Sequence, residues 1–323
     1  MRHTLARSIA ALSLAAGLVS GAHAWPDKPV DFIVPSAAGG SPDVLSRLVT
    51  NQLAQDLGTS VVVENRPGAA GNIGIALIKR AAPDGYTIGY GNINTLAVNR
   101  TLFNKLPYDV EADLEPVAHL FNLYNVLIVP AGSPDKSVQD LIERARAKPG
   151  QLSYGASGVG TTGHMGGELF KSMAGIDVMF IPYNGGPAAI QDLLGGRLDF
   201  IFVNSSEAVP LIQGGRVRAL GVSSLRRLEL LPDVPTLDEL GLKGYETVAW
   251  GGVVAPKGTP PAVIERLNGA FNKALQEPTV RAGLAKLGAE PVQGSPADFK
   301  RLIDSETAKW RQIIDQAGIE KLD

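Results

Sequence analysis

The stretch Val30-Asp31-Phe32-Ile33-Val34-Pro35-Ser36-Ala37-Ala38-Gly39-Gly40-Ser41-Pro42-Asp43 decides how the rest of the chain is read. A β-rich run ends in a glycine turn, and a helical pattern from Val44 to about Leu57 follows at once. Strand, Gly-rich loop and helix form the unit of a parallel α/β sheet, whose ligands bind in the crevice at the carboxyl ends of the strands. The first turn of each helix presents unpaired N–H groups and a partial positive charge, which suits an anion. Glycine lets a ligand come close to the backbone.

The unit recurs outward from there. Val61 to Glu64 read as a strand, and Gly68 to Gly71 lead into a helix from Asn72 to Ala81. Thr87 to Tyr90 make a third strand that leaves through Gly91-Asn92-Ile93-Asn94-Thr95. A second block starts after Leu114-Glu115-Pro116, with a strand from Tyr124 to Val129 and a serine-capped helix from Ser137 to Ala147. Strands at 152–155, 178–183 and 200–203 each run through a polar or glycine loop into a helix, and Ala219 to Ser223 close the block. A last strand over Val248 to Ala255 carries Gly251 and Gly252, which mark a close approach. Helices over 261–275, 278–287 and 296–317 follow, and the last is expected to pack back on the first lobe. The expectation is an α/β protein of two lobes, one from 25–123 and 226–323 and the other from 124–225, so that the chain crosses between them twice.

Residues 1–24 read as an export signal: Arg2 and Arg7, an apolar run from Ile9 to Val19, then Ala22-His23-Ala24 at the cleavage position. Cleavage near Ala24 implies a periplasmic protein. About 300 residues then remain, more than one core usually serves. The mature balance is 28 basic against 32 acidic residues, with no basic run of the kind nucleic acid demands. The chain has no cysteine, and only His119 and His164 lie beyond the signal, so a zinc site of the usual kind is not expected. No D-x-D-x-D-G calcium loop occurs, and no cofactor is expected.

Three loops carry the pattern that suits an anion: Ala38-Gly39-Gly40-Ser41, Gly158-Val159-Gly160-Thr161-Thr162-Gly163 and Asn184-Gly185-Gly186. Each has a plainer reading. Ser41 with Pro42 is ordinary helix-start chemistry, Asn204 reads equally as a cap, and His164 as a structural hydrogen-bond partner. The 158–163 loop matches the dinucleotide fingerprint G-x-G-x-x-G, which opens the reading of a secreted NAD-binding oxidoreductase. Against it, no acidic residue ends the next strand near Tyr183 where the ribose would need one. The same backbone cradle serves a carboxylate, with hydroxyls from Ser157, Thr161 and Thr162. Nucleophilic catalysis finds no G-x-S-x-G elbow, because Gly155-Ala156-Ser157-Gly158-Val159 breaks at its last position.

These residues, together with Glu64-Asn65-Arg66-Pro67-Gly68-Ala69-Ala70-Gly71-Asn72-Ile73-Gly74, Ala82-Pro83-Asp84-Gly85-Tyr86-Thr87, Leu106-Pro107-Tyr108-Asp109 and Leu231-Pro232-Asp233-Val234-Pro235-Thr236, resemble the Bug-type receptors of the tripartite tricarboxylate transporters. The resemblance spans the mature chain in order. It implies a type II periplasmic-binding fold with a hinged cleft, a small carboxylate ligand held by backbone amides and hydroxyls, and delivery to integral membrane permease subunits. Carried over by position, the first lobe would contribute Ser36, Ala38, Gly39, Ser41 and Asp43, with Asn92, Asn94 and Thr95 opposite. The second would contribute Ser157, Thr161, Thr162, His164, Gly185 and Asn204.

This chain departs from the pattern in three places. Ser36 stands where an aromatic residue is common, Leu96 where a histidine is, and Val203 where an acid is. Losing that acid and gaining Leu96 disfavour a ligand ammonium, so an aromatic or aliphatic carboxylate is expected in place of an amino acid. A monomeric binding protein without turnover is the resulting expectation. A sensing role beside a membrane kinase stays open as an alternative.

Overall fold

The computed structural model describes residues 25–317 and 319–323; the expected export signal lies outside them. Val30–Val34 (β1) pairs in parallel with Val61–Asn65 (β2) and Thr87–Asn92 (β3). Ser41–Leu57 (α1) and Asn72–Arg80 (α2) make the crossovers. The first helix begins three residues before the sequence reading placed it, because Gly40 is extended and Pro42 already sits in the first turn. A π-helical turn at Asn94–Val98 and Asn99–Leu102 (α3) follow β3, and Val110–Asp113 (α4) precedes the longest strand.

That strand, Leu114–Pro130 (β4), is 17 residues long and joins the two halves of the sheet. Up to Tyr124 it pairs with Val248–Pro256 (β9), and from Asn125 it pairs with Phe200–Asn204 (β7) and Val217–Val222 (β8). The sequence reading began this strand only at Tyr124. Pro116 sits at a register shift in the ladder, where a residue without an N–H is tolerated. Val138–Ala147 (α5) is capped reciprocally: Asp140 N donates to Ser137 Oγ at 3.1 Å, and Ser137 N to the Asp140 carboxylate at 3.0 Å. Ser153–Ala156 (β5), Thr162–Ala174 (α6), Met179–Pro182 (β6), Gly186–Leu194 (α7) and Ser205–Gln213 (α8) complete the second half. The sheet order is β2-β1-β3-β9-β4-β7-β5-β6.

Two apolar clusters flank each half. One pair gathers Phe32, Leu45, Phe121 and Phe271 on one face and Ile33, Ile75, Leu96 and Trp250 on the other. The second pair gathers Tyr154, Phe170 and Phe202, and Val126, Ile201 and Val209. Residues 226–247 contribute to this second pair through Leu228, Leu231, Leu237, Leu242 and Tyr245. Pro261–Ala274 (α9) packs behind the first half, followed by Pro278–Lys286 (α10), Glu290–Pro291 (β10) and Pro296–Ala317 (α11). The long last helix lays Phe299, Ile303, Trp310 and Ile314 against Ile33, Ile75 and Leu96 of the first half. Gly252 makes room for this packing, since a Cβ there would lie 2.4 Å from Phe299 Cζ, and on the neighbouring Gly251 a Cβ would lie 2.0 Å from Tyr90 Oη. Among the described residues, no helix is long and apolar enough to cross a membrane.

Candidate functional site

The turns that leave β1, β2, β3, β5, β6 and β7 all converge on one cavity of about 450 Å³. That is the crevice at the carboxyl ends of parallel strands, and its size suits a small solute. Its walls come from both halves, and Asn125, Leu123, Ala249 and Trp250 close it where β4 and β9 cross.

The two halves meet in two zones. In one, Gly40 and Ser41 at the start of α1 face α7 and α8: Ser41 Oγ is 2.6 Å from Ser206 Oγ, and a Cβ on Gly185 would lie 3.2 Å from Ala37 Cβ. In the other, the 158–163 loop lies on α3, where a Cβ on Gly160 would meet Asn99 Oδ1 at 2.9 Å. The glycine fingerprint is therefore taken up by packing. Gly160, with φ +75°, brings the loop onto the first half, and a Cβ on Gly163 would lie 2.4 Å from the Phe202 carbonyl oxygen. Close lobe and helix contacts explain these glycines, with no need for a dinucleotide.

Of the residues expected at the site, Ser36, Ser41, Asn92, Asn94, Ser157, Thr161, Thr162, Gly185 and Asn204 line the cavity. The Ser36 hydroxyl is buried there without a hydrogen-bond partner among the described residues. Several of the others are already engaged. Thr161 Oγ1 donates to the Gly158 carbonyl at 2.7 Å and accepts from His164 N, so it caps α6. Asn204 Oδ1 accepts from Asn125 Nδ2 at 3.0 Å, and Asn125 Oδ1 from Thr247 Oγ1 at 3.2 Å, which ties the two strand crossings together beneath the cavity.

Ala38, Gly39, Asp43, Thr95 and His164 are not among the lining residues. Asp43 instead accepts from Gly39 N at 2.9 Å and from Arg47 Nε at 2.8 Å, closing its own turn. Thr95 is fully buried and exchanges hydrogen bonds with Asn92. His164 is buried, stacks on Phe180 at 4.1 Å and accepts from Gly160 N at 3.1 Å through Nδ1, so it props the loop from behind. Burial holds its pKa down to about 4, so the ring is neutral and able to accept.

The sequence reading missed four features. Ala69 and Ala70 line the cavity at positive φ, 45° and 54°, a conformation that L-residues avoid. The side chains of Asn94 and Asn99 both donate to the Ala70 carbonyl at 3.3 Å and hold the turn in place. Asn125 lay inside what read as an unbroken apolar strand. Trp250 forms part of the wall while its indole N–H donates to Glu306.

Glu207 is the fourth. Asn204-Ser205-Ser206-Glu207 reads as a helix start with an acid in its first turn, but the carboxyl group turns across to the head of α1, where a Cβ on Gly40 would lie 3.8 Å from its Oε1. It also occupies the space over Gly186, where a Cβ would sit 2.1 Å from Oε1. Burial raises its pKa to about 7, against the opposing pull of Ser41. Leu96 and Val203 are buried and do not line the cavity, so neither tunes it for or against an ammonium group. No lysine, arginine or histidine is among the lining residues. The polar groups that remain in the wall are peptide N–H groups, amides, hydroxyls and the Glu207 carboxyl.

Comparison with known proteins agrees with this architecture. Residues 45–319 match the model of the tripartite tricarboxylate transporter family receptor. A protein from the tcbD-tcbE intergenic region of Pseudomonas sp. strain P51 is 38% identical over 314 residues, 97% of this chain and 93% of its own. BugT of Bordetella pertussis is 36% identical over 298 residues, 92% of this chain and 91% of its own. Among solved structures, Rpa4515 of R. palustris with adipate superposes with a TM-score of 0.90 at 37% identity, covering 92% of this chain and all of that one. MatC from Rhodopseudomonas palustris with bound malate gives 0.86 at 31% identity, covering 90% of this chain and all of that one.

Proposed function

We propose, from the premise that this chain belongs to the tripartite tricarboxylate transporter receptor family, that it holds a small carboxylate in the cavity between its halves and passes it to membrane permease subunits. The family is one of periplasmic solute receptors, not enzymes. One observation carries the ligand class: six strand-end turns from both halves face a single cavity that has no cationic side chain among its lining residues. Peptide N–H groups at helix starts are the remaining partners for a negative charge. Two relatives in structure bind dicarboxylates, adipate and malate, which supports that class.

The lobes are residues 25–124 with 248–323, and 125–247. The crossing back falls near residue 247 and not at 225, because 226–247 pack with the second half. An α-amino acid is not the ligand. With its carboxylate at the Asn92–Asn94 and Ser157–Thr162 turns, its ammonium would lie beside the same turns, where no acid lines the wall. The ligand contacts are Ser36, Asn92, Asn94, Ser157 and Thr162 with the turn at Ala69 and Ala70. A thermal-shift screen of mono- and dicarboxylates against residues 25–323 tests the reading, since a ligand at 100 times its Kd adds about 2.7 kcal/mol. Stabilisation by carboxylates and not by matched alcohols or amines supports it; no carboxylate response overturns it.

A further inference from the structure

Glu207 is the one acidic side chain lining the cavity, and it occupies the helix starts that an incoming anion would otherwise use. Its carboxyl group lies beside the head of α1, where a Cβ on Gly40 would sit 3.8 Å from Oε1, and over Gly186 at the head of α7. Gly186 leaves no room for a side chain there, so the acid is fitted to that place. Of the two zones where the halves meet, this one already carries a resident carboxyl group, which is ionised above about pH 7. The other, formed by the 158–163 loop and the turn after β3, has none among its lining residues. A ligand carboxylate is therefore directed to the second zone, and whatever the ligand carries at its far end comes toward Glu207.

We propose that Glu207 sets the specificity of the receptor, favouring ligands with one carboxylate and a hydrogen-bond-donating far end over dicarboxylates. The proposal rests on the carboxylate reading above. A hydroxyl at the far end donates to the Glu207 carboxylate. A second carboxylate in the same place meets a like charge in a partly dehydrated pocket with no cation in its wall to offset it, and like-charge juxtaposition of that kind is costly.

The test is calorimetry at pH 8.5, where Glu207 is ionised, on the 25–323 protein and its Glu207→Gln variant with three matched pairs: 4-hydroxybutanoate and succinate, 6-hydroxyhexanoate and adipate, 4-hydroxybenzoate and terephthalate. In the pairs that bind, the wild type is expected to favour the hydroxy acid by at least about tenfold. In Glu207→Gln, which keeps the shape and removes the charge, that ratio is expected to shrink to about threefold or less. A wild type that binds the diacid as tightly as its partner overturns the proposal while leaving the carboxylate reading intact. So does a ratio unchanged in the variant. Because the wild-type ratio is informative alone, a variant that fails to fold does not remove the test. Absence of binding across all three pairs overturns the carboxylate reading, and this proposal with it.

Discussion

Ser41 Oγ and Ser206 Oγ lie 2.6 Å apart, although 165 residues separate them in the chain. Each stands at the first turn of a helix, one in each half, and both are buried. The contact joins the two halves beside the cavity. Replacing Ser206 by Ala removes one hydrogen bond between the halves, and ligand binding is expected to depend on that contact. A loss of about 0.5–1.5 kcal/mol, or roughly two- to tenfold in carboxylate affinity, is expected with unfolding of the unliganded protein little changed. Calorimetry beside thermal unfolding measures both.

Thr161→Val is expected to act first on the helix. The hydroxyl that caps α6 also holds the Gly158 carbonyl, so its removal costs about 1 kcal/mol of lobe stability. A lowered midpoint in thermal unfolding without ligand is the expected result. An unchanged midpoint with weakened binding would show that the hydroxyl serves the ligand alone.

Gly163→Ala drives a methyl against the Phe202 carbonyl of β7, a backbone atom that cannot swing aside. Helix α6 must then lift from the sheet, at about 1–3 kcal/mol. Denaturant unfolding checks this, and Ser157→Ala on the cavity wall serves as a control with little effect on stability.

Acid should weaken the fold through its two buried imidazoles. His119 is 9% exposed, stacked on Phe299, with Nε2 unpartnered among the described residues, and burial lowers its pKa to about 4. The folded state thus favours the neutral ring, and the unfolded chain takes a proton near pH 6.5. Stability from this group is full above about pH 6.5 and is lost as pH falls toward 4, by at most about 3 kcal/mol. Glu207 opposes this, since its raised pKa contributes stability that is lost as pH rises through about 7. Comparing His119→Phe with wild type cancels the Glu207 contribution. The variant's stability is expected to fall less between pH 7 and pH 4.5.

Much of this fold was legible in the residues because strand, glycine turn and helix recur with local chemistry that leaves few alternatives. Ser137 with Asp140, Gly251 and Gly252, and the long last helix lie where their local patterns place them. What sequence could not show is long-range. Glu207 looks like any first-turn acid until Ser41 arrives from the other half of the chain. Asn125 is hidden in an apolar run whose role as the crossing point depends on pairing with β7, β8 and β9 at once. Asp43, Thr95 and His164 have residue types that suit a ligand, yet their hydrogen bonds are used to shape the turns behind the wall.

The most direct measurement is a crystal structure of the 25–323 protein with the carboxylate that stabilises it most. The account predicts the ligand carboxylate within hydrogen-bonding distance of peptide N–H groups in the turns around Ala70, Asn94 and Thr162, with both halves in contact with it. A carboxylate bound outside the cavity, or neutralised by a lysine or arginine side chain, would contradict it.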